Sequence, residues 1–433
     1  MRILIIGSGG REHALCWALR KTSTRPLELF CAPGNAGIAE IGQCVSIPAN
    51  DYNRLAEFAA ESEIDVTMVG PEVPLAEGIV DLFTDRGLRI VGPTRAAAQL
   101  EASKAFAKDF MRRHSIPTAL YQTATSDDEA ADILKSGKFG GDDSPVVIKA
   151  DGLAAGKGVY VAANRAAAFA ALEELAAGAV GTEAARRIVV EEALQGPEVS
   201  LLLFSDGKDF RLMPAARDHK RVWNNDTGPN TGGMGSITGS SVLDDEVRDR
   251  IVREVVEPSL QGCAADGISF RGVLFIGLML TAEGPRVLEY NVRFGDPETQ
   301  AILVRLRTDL AEVFQAITEQ RLGEMPIDWS PEASACVVLA SRGYPAKPET
   351  GAQIHGLDTA GQRQAVTVFH AATSRGPDNE WLTAGGRVLG ITASGHTLDA
   401  ALARCYGAVA EIHWEGMHYR TDIGREPRRA ALP

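Results

Sequence analysis

The sequence predicts a multidomain protein that begins with a doubly wound α/β domain and continues as α+β structure. Three observations support this fold class. Short apolar runs alternate with helical segments over the first hundred residues, which is typical of parallel strands joined by helices. A glycine-rich segment flanked by two short strands follows near residue 150. The chain has 433 residues, enough for two to four domains with substantial cores.

The first unit is predicted from four apolar runs, RILIIG, LELFCAP, DVTMVGPE and LRIVGPT. Stretches such as REHALCWALRKT and DYNRLAEFAAES separate them and have a helical pattern. A further helix is expected at SKAFAKDFMRRH, and Pro117 closes that segment. We therefore assign residues 1–103 to a Rossmann-like domain with a parallel sheet.

Two α+β units are expected to follow. The middle one contains strands at VVIKA, VYVA and RIVVEEAL, an Ala-rich helix, and then mixed strands and helices such as DDEVRDRIVREVVEPSLQGCAA as far as about Pro326. The last one has strands at ACVVLAS, QAVTVFHAA and GRVLGITA and a helix at TLDAALARCYGAVAEI. The predicted domains are residues 104–326, with a small lid lobe at about 120–192, and residues 327–433.

Composition excludes several classes of partner. The net charge is −13, whereas a nucleic-acid-binding protein would carry a basic stripe. The six cysteines are scattered without a CxxC pair, which favours free thiols in a reducing, cytoplasmic environment. The N-terminus reads as a strand and not as a signal peptide, and no apolar run is long enough to span a membrane.

The segment VVIKADGLAAGKGVYVA places Lys149 and Lys157 on either side of a Gly/Ala loop. It is not a P-loop, because its glycine spacing is too short and the residue after Lys157 is Gly158 rather than Ser or Thr. A hairpin of this kind could cover a triphosphate and exclude water from phosphoryl transfer. The alternative is an exposed hairpin with solvated lysines.

The segment LEYNVRFGDPETQ carries a candidate metal site. Glu289 and Asn291 are two residues apart on a predicted strand and therefore point to one face. A carboxylate and an amide oxygen suit a hard cation, and Arg293 on the same face could neutralise a transferring phosphoryl group. A solvent-exposed strand face is the alternative.

Two further segments have candidate binding roles. RIVVEEALQGPEVSL could offer backbone groups to an adenine edge and a carboxylate to ribose hydroxyls, or it could be an acidic surface loop. Residues 217–236, RDHKRVWNNDTGPNTGGMGS, are polar, glycine-rich and long for a connection between strands. A connection of that length is usually functional or disordered, and Asp218, His219 and Lys220 favour a substrate loop.

The turn GSGGREH lies between the first strand and the first helix, where backbone N–H groups can approach a phosphate. It does not match a dinucleotide fingerprint, because Glu12 stands at the third glycine position and no acidic residue ends the second strand. PGNAG and GPEVPL also follow strand ends, and Glu72 lies at one of them. A phosphorylated small molecule is therefore favoured over a dinucleotide, and a turn without any ligand is the alternative.

Taken together, these motifs resemble the ATP-grasp superfamily and, within it, the glycinamide ribonucleotide synthetase family. GSGGREHA, APGNAG, VGPE, SKAF, DHKR, DTGPNTGGMG and RFGDPETQ match that family in order from residue 7 to residue 300. The resemblance implies that ATP phosphorylates the carboxylate of glycine. The amine of 5-phosphoribosylamine would then attack the glycyl phosphate, giving glycinamide ribonucleotide, ADP and phosphate for purine synthesis.

The resemblance also implies roles for individual residues, with ATP as co-substrate and Mg²⁺ or Mn²⁺ as the metal in a monomeric enzyme. The residues expected to act in catalysis are Arg293, Lys157, Asp218 and Lys220. The residues expected to bind ATP are Lys104, Lys149, Lys157, Glu191, Glu192, Ala193, Leu194 and Glu198. The residues expected to bind substrate are Gly9, Gly10, Arg11, Glu12, Asn35, Glu72, Asp218, Gly232, Gly233, Arg293 and Asp296. The expected metal ligands are Glu289 and Asn291.

Two other functions compete with this one. Another ATP-grasp ligase or a carboxylase would share the ATP-binding half but use a different acceptor, and the GGREH and DTGPNTGGMG segments disfavour it. A nucleotide sensor would bind ATP without turnover. The Glu289, Asn291 and Arg293 set disfavours a sensor, because sensing needs no group that stabilises a transferring phosphoryl.

Overall fold

A computed structural model describes residues 1–153, 158–177 and 187–425 of the protein. The predicted architecture, a parallel-sheet α/β domain followed by α+β structure, is confirmed. Among the described helices, none combines the length and the apolar character that crossing a membrane requires.

A five-stranded parallel sheet forms the N-terminal unit. Its strands are β1 (Arg2–Gly7), β2 (Glu28–Pro33), β3 (Gln43–Cys44), β4 (Val66–Val69) and β5 (Ile90–Val91), in the spatial order β3-β2-β1-β4-β5. Its helices are α1 (Gly10–Thr22), α2 (Tyr52–Glu61), α3 (Glu72–Glu77), α4 (Ile79–Asp85) and α5 (Arg95–Ala102), and α6 (Lys104–Arg113) follows. The strand order reverses between β1 and β4, so the GSGGREH turn and Glu72 lie at the crevice where ligands of such sheets bind.

The small lobe is a four-stranded antiparallel sheet with two helices. Its strands are β6 (Tyr121–Ala124), β7 (Val146–Ala150), β8 (Val159–Ala162) and β9 (Ile188–Glu192), in the order β6-β9-β7-β8. Its helices are α7 (Asp127–Lys135) and α8 (Arg165–Ala176). Ile148, Leu172 and Val190 belong to an apolar core whose described members all come from this lobe.

A nine-stranded sheet runs through the rest of the molecule. Its strands are β10 (Glu198–Asp206), β11 (Phe210–Leu212), β12 (Ala216–Asp218), β15 (Gly235–Thr238), β16 (Arg271–Thr281), β17 (Gly284–Asn291), β18 (Ala333–Ala340), β19 (Val366–His370) and β22 (Arg387–Gly395). Two hairpins lie outside it, formed by β13 (Arg221–Trp223) with β14 (Thr227–Asn230) and by β20 (Thr373–Arg375) with β21 (Trp381–Thr383). The spatial order is β17-β16-β10-β12-β15-β18-β22-β19, with β11 beside β10.

The pairing of β15 with β18 joins the middle of the chain to the C-terminal unit. Gly235 pairs with Val337 and Thr238 pairs with Ser334 in an antiparallel ladder, and every residue of β15 is buried. The sheet is therefore continuous across the domain boundary near residue 327 that the sequence led us to expect.

The remaining helices are α9 (Asp245–Ile251), α10 (Glu257–Ala265), α11 (Glu298–Leu303), α12 (Leu310–Glu319), α13 (Leu357–Gly361) and α14 (Leu398–Val409). A π-helical turn, Val252–Val256, connects α9 with α10 just before Pro258, whose ring nitrogen cannot donate a backbone hydrogen bond. On α12, Phe314 shares a core with Ile5 of β1 and Phe204 of β10, so this helix packs between the two large sheets.

Residues 217–236 differ from the open polar loop that their composition predicted. They contain the end of β12, the hairpin β13–β14 and the start of β15. The hairpin is held by polar groups near the C-terminus, because Arg420 Nη1 lies 2.6 Å from Asp226 Oδ1 and Asn225 N donates to Asp422 Oδ2 at 2.7 Å. Polar partners that are distant in the chain hold this hairpin in place. The hairpin's own sequence has no apolar alternation, and the sequence pattern therefore did not predict its strands.

Candidate active site

Glu289 and Asn291 lie on β17 with the two-residue spacing predicted for them. Gly277 faces Glu289 across the β16–β17 ladder, and a Cβ at Gly277 would lie 3.3 Å from Glu289 Cγ. A side chain at position 277 would therefore crowd Glu289, and the glycine leaves it room over β16. Lys220 Nζ is 3.8 Å from Glu289 Oε1.

The lysines around Glu289 keep its carboxyl group ionised, as a carboxylate that binds a cation must be. Burial alone would raise the pKa of this carboxyl, but Lys220, Lys149 and Lys104 hold the pKa below its usual value. An ionised carboxylate beside the amide oxygen of Asn291 fits a hard divalent cation. The described part of the chain has no cluster of three His, Cys, Asp or Glu side chains suited to a metal.

Glu191 is buried between two lysines at the base of the small lobe. Lys149 Nζ lies 3.1 Å from Glu191 Oε1 and donates to Leu288 O at 2.9 Å. Lys108 Nζ lies 3.0 Å from Glu191 Oε2 and donates to Thr118 Oγ1 at 2.7 Å. Burial lowers the pKa of Lys108 to about 8. Sequence reasoning missed Lys108, although it lies one helical turn after Lys104 on the same face of α6.

Lys104 contacts the start of the Gly/Ala loop that follows β7. Its Nζ donates to Gly152 O at 3.0 Å, and Ser103 Oγ donates to Asp151 Oδ2 at 3.1 Å. Burial lowers the pKa of the Lys104 ammonium group. These contacts hold Asp151 and Gly152 against the N-terminus of α6. Lys157, also predicted to bind ATP, lies outside the described residues.

The predicted adenine and ribose residues lie where β9 leads into β10. Glu192 Oε1 accepts a hydrogen bond from Leu120 N at 2.8 Å, and Ala193 and Leu194 follow half-buried. Glu198 Oε2 lies 3.0 Å from Lys220 Nζ, so this carboxylate and Glu289 share one lysine. The segment thus connects the small lobe to the large sheet beside the candidate metal ligands.

Arg293 links the end of β17, which carries the candidate metal ligands, to the N-terminal unit. Its Nη2 lies 2.9 Å from Glu101 Oε1 and donates to Asn291 Oδ1 at 3.2 Å, and its Nε lies 3.4 Å from Glu72 Oε2. Burial disfavours the charge on Arg293, but Glu101 and Glu72 outweigh it and raise the pKa of Arg293 above its usual value. The guanidinium therefore stays charged beside Asn291. Glu101 was not predicted, since one acid in the helix RAAAQLEA carries no signal of its partner.

The GSGGREH turn is shaped by Glu12. Its Oε2 accepts a hydrogen bond from Gly9 N at 2.6 Å, and its Oε1 accepts one from Arg11 Nε at 2.6 Å. A Cβ at Gly70 would lie 2.0 Å from Glu12 Oε1, so the glycine after β4 makes room for this carboxylate. Gly10, at the first turn of α1, lies against the side chain of Gln300. The predicted role of these residues toward a substrate phosphate stays a prediction.

Asn35 uses its side chain within its own loop and toward the C-terminal unit. Its Nδ2 donates to Ser8 O at 2.7 Å and to His370 O at 3.0 Å, and its Oδ1 accepts from the N–H groups of Gly37 and Ile38, each at 2.9 Å. It therefore fixes the shape of the loop after β2, and a direct contact with substrate stays a prediction.

Asp218 and Gly233 lie together against the turn that contains Asp296 and Pro297. Burial, together with the neighbouring Glu298, raises the pKa of Asp218. A Cβ at Gly233 would lie 2.4 Å from Pro297 Cδ and 2.8 Å from Asp218 Oδ1. The glycine-rich loop of residues 231–234 therefore packs closely on the GDPET turn. Asp296 Oδ1 accepts a hydrogen bond from Gln300 at 2.8 Å. Arg387 of β22, which the sequence did not single out, lies 3.3 Å from Asp296 Oδ2.

Three family models match consecutive parts of the chain. They describe the N domain of phosphoribosylglycinamide synthetase (residues 1–101), its ATP-grasp (A) domain (residues 102–299) and its C domain (residues 334–426).

Curated relatives match the chain over nearly its whole length. A phosphoribosylamine–glycine ligase of Rhodopirellula baltica is 46% identical over 424 residues, covering 97% of this chain and 96% of the relative. The enzyme of the same name from Escherichia coli K12 is 46% identical over 432 residues, covering 98% of each chain.

Solved structures give the same result for the fold. The crystal structure of phosphoribosylamine–glycine ligase from Thermotoga maritima matches with a TM-score of 0.82 and 32% identity, covering 97% of this chain and 99% of that one. The biotin carboxylase domain of the Hydrogenobacter thermophilus 2-oxoglutarate carboxylase matches with a TM-score of 0.70 and 16% identity, covering 96% and 91%. At that identity the likeness concerns the fold alone.

Proposed function

The chain belongs to the phosphoribosylglycinamide synthetase family, and we infer from this that it is an ATP-grasp ligase joining phosphoribosylamine to glycine in de novo purine synthesis. The observation that carries the catalytic assignment is the Glu289–Asn291 pair, whose carboxylate is surrounded by Lys104, Lys149 and Lys220. A carboxylate–amide pair beside several cations suits a metal-bound triphosphate.

We propose that the reaction proceeds through glycyl phosphate. In the first step a glycine carboxylate oxygen forms a bond to the γ-phosphorus of ATP, and the bond from that phosphorus to the bridging oxygen breaks to release ADP. The ammonium groups of Lys104 and Lys149 and the guanidinium of Arg293 would stabilise the negative charge on the transferring group. Lys157 belongs to the same proposal on the strength of the family resemblance.

In the second step the amine of 5-phosphoribosylamine attacks the acyl carbon. A C–N bond forms, the C–O bond to phosphate breaks, and the amine releases a proton to the departing phosphate. No side chain is needed as a covalent nucleophile, so catalysis rests on positioning and electrostatics. Asp218, Lys220 and the glycines at 232 and 233 would hold the glycyl group, and residues 9–12, Asn35, Glu72 and Asp296 would form the acceptor pocket.

Glu289 and Asn291 would hold the divalent cation, for which we propose Mg²⁺, with Mn²⁺ as a substitute. When bound, such a cation neutralises negative charge on the phosphate oxygens of the nucleotide. Glu191 to Leu194 would surround adenine, and Glu198 would accept hydrogen bonds from the ribose hydroxyls.

The substrate assignment is tested by measuring ADP release across a panel of amino acids, with 5-phosphoribosylamine generated in situ. Glycine should be the best substrate, because Gly233 is packed against Pro297 and Asp218 and leaves little room for a side chain. Alanine should be rejected by about 1–3 kcal/mol, or roughly 10- to 200-fold in kcat/KM. Equal rates with alanine or β-alanine, or replacement of glycine by bicarbonate, would show that the assignment is wrong.

We also propose a cytoplasmic location and a monomeric state. All six cysteines are free thiols, which suits a reducing compartment. Sedimentation equilibrium at micromolar concentration would test the monomer.

A further inference from the structure

Two side chains of the C-terminal unit hold Gly232, a residue of the glycine-rich loop of residues 231–234 between β14 and β15. Tyr344 Oη accepts a hydrogen bond from Gly232 N at 3.0 Å, and Arg387 Nη1 donates to Gly232 O at 2.5 Å. A Cβ at Gly232 would lie 3.1 Å from Arg387 Cζ, so the guanidinium lies directly against the loop backbone. Both backbone polar groups of Gly232 are thus satisfied from another part of the molecule.

Arg387 also holds the GDPET turn, which follows β17. Its Nη1 also donates to Asp296 O at 2.6 Å, and its Nη2 lies 3.3 Å from Asp296 Oδ2. Asp296 raises the pKa of Arg387 against the effect of burial, which keeps the guanidinium charged. One side chain therefore connects the glycine-rich loop, the GDPET turn and β22.

Hydrogen bonds extend from this contact to the proposed reaction centre. The neighbour of Gly232, Thr231, donates to Lys220 O from both its backbone N and its Oγ1, each at 2.8 Å. The same Oγ1 accepts a hydrogen bond from Gly233 N at 3.0 Å. Lys220 in turn places its Nζ 3.0 Å from Glu198 and 3.8 Å from Glu289. A shift of Gly232 would therefore move Lys220 relative to both carboxylates.

We propose that Arg387, together with Tyr344, is a positioning residue for the glycine-activating step. This inference rests on the proposed function and adds to it the part played by the C-terminal unit. Arg387 fixes Gly232 and Asp296 relative to each other, so that the glycine-rich loop is in place before glycine arrives. A guanidinium carries several donors in one plane and can hold both segments at once, whereas a lysine ammonium lacks that fixed fork.

The test compares Arg387→Met, Arg387→Lys and Tyr344→Phe, with kcat/KM for glycine and KM for ATP measured separately. A misplacement of about 1 Å costs roughly 100-fold, so Arg387→Met should lower kcat/KM for glycine about 100-fold. KM for ATP should change about threefold or less, because the predicted adenine residues lie on other segments and only the contact of Lys220 with Glu198, the predicted ribose residue, would be disturbed. Arg387→Lys should recover part of the loss, and Tyr344→Phe should lose about three- to tenfold, the value of one hydrogen bond.

Arg375→Met is the matched control. Arg375 also belongs to the C-terminal unit and pairs with Glu40 of the N-terminal unit, but its hydrogen bonds go to Glu40 and Asn379 and not to the loop. It should keep the wild-type kcat/KM for glycine. If kcat/KM for glycine fell as much in this control as in Arg387→Met, the loss would reflect general destabilisation of the C-terminal unit, and the proposal would be overturned.

The proposal is also overturned if Arg387→Met leaves kcat/KM for glycine unchanged, or if it weakens glycine and ATP equally. If Arg387→Met does not fold, Tyr344→Phe decides, because it leaves the ion pair with Asp296 intact and removes only the hydrogen bond to Gly232. The proposed function has its own test: it is wrong if the wild-type enzyme releases ADP with another acid in place of glycine. The same variants then test the positioning role with that acid.

Discussion

The small lobe and the C-terminal unit border the candidate site on opposite sides, and they are attached to the rest of the chain in different ways. The small lobe has its own sheet and core and meets the rest of the protein through polar contacts such as Lys149 with Leu288 and Lys108 with Glu191. The C-terminal unit shares a continuous sheet with the centre of the molecule through β15 and β18.

The difference indicates which half of the site can rearrange. A few ion pairs and hydrogen bonds can be exchanged for contacts with nucleotide phosphates, whereas a buried strand ladder cannot be opened without unfolding. We therefore expect the side of the site formed by the small lobe, the nucleotide side, to adjust as ATP binds, and the side held by the C-terminal unit to be formed in advance. Five experiments can test this comparison, starting with the centre of the site. The Arg387 series described above is one of them and tests the rigid side directly.

The largest loss is expected from Glu289→Gln, because Glu289 lies where both sides meet. The amide is nearly isosteric but has no charge to offer a divalent cation, which should cost about 3 kcal/mol or more, or at least roughly 100-fold in kcat. Rates are measured at limiting and saturating Mg²⁺, with Glu283→Gln in the exposed β16–β17 turn as control. An unchanged rate at limiting Mg²⁺ would remove Glu289 from the metal site.

A smaller and selective loss is expected from Lys108→Met on the nucleotide side. Removing this charged partner of Glu191 should raise KM for ATP about tenfold and leave KM for glycine unchanged. Lys135→Met on the exposed surface of α7 is the control. A parallel rise in KM for glycine would show that the two sides of the site are not independent.

The same lysine predicts a pH dependence. Burial lowers the pKa of Lys108 to about 8, so the ammonium loses its proton as the pH rises through that value. The protonated form pairs with Glu191, and KM for ATP should therefore rise above about pH 8 in the wild type. In Lys108→Met this rise should be absent, and an identical pH profile in both proteins would assign the titration to another group.

The smallest effect on catalysis at neutral pH is expected from the histidine pair between the N-terminal and C-terminal units. His13 Nδ1 accepts a hydrogen bond from His370 N at 2.9 Å, and burial lowers the pKa of His13 to about 4 and that of His370 to about 3. Between pH 6.5 and these values only the unfolded chain takes up the protons, so stability must fall as the pH falls.

Each neutral histidine accounts for about 2 kcal/mol of this loss between pH 7 and pH 5. Urea unfolding at the two pH values should show a smaller loss for His370→Phe than for the wild type. His396→Gln, which alters an exposed histidine, should behave like the wild type. Equal losses in all three proteins would mean that His370 is not kept neutral by the interface.

The sequence predicted those features that depend on local pattern. The alternation of apolar runs and helices gave the parallel sheet of the first unit, and the two-residue spacing of Glu289 and Asn291 placed both on one strand. It did not predict Lys108, Glu101 or Arg387. Each is a single charged residue in an ordinary helix or strand, and its partner lies far away in the chain. Arg387 is separated from Gly232 by 155 residues, and no periodicity reports such a contact.

The continuous nine-stranded sheet limits how the chain can be shortened. A fragment that stops near residue 326, at the boundary suggested by composition, would lose β18 and leave Gly235–Thr238 as an open edge strand. Unpaired N–H and C=O groups along an exposed strand edge are a template for self-association. Such a truncated enzyme would retain its predicted nucleotide-binding residues and still be prone to aggregate, so the C-terminal unit also acts as an edge cover for the catalytic core.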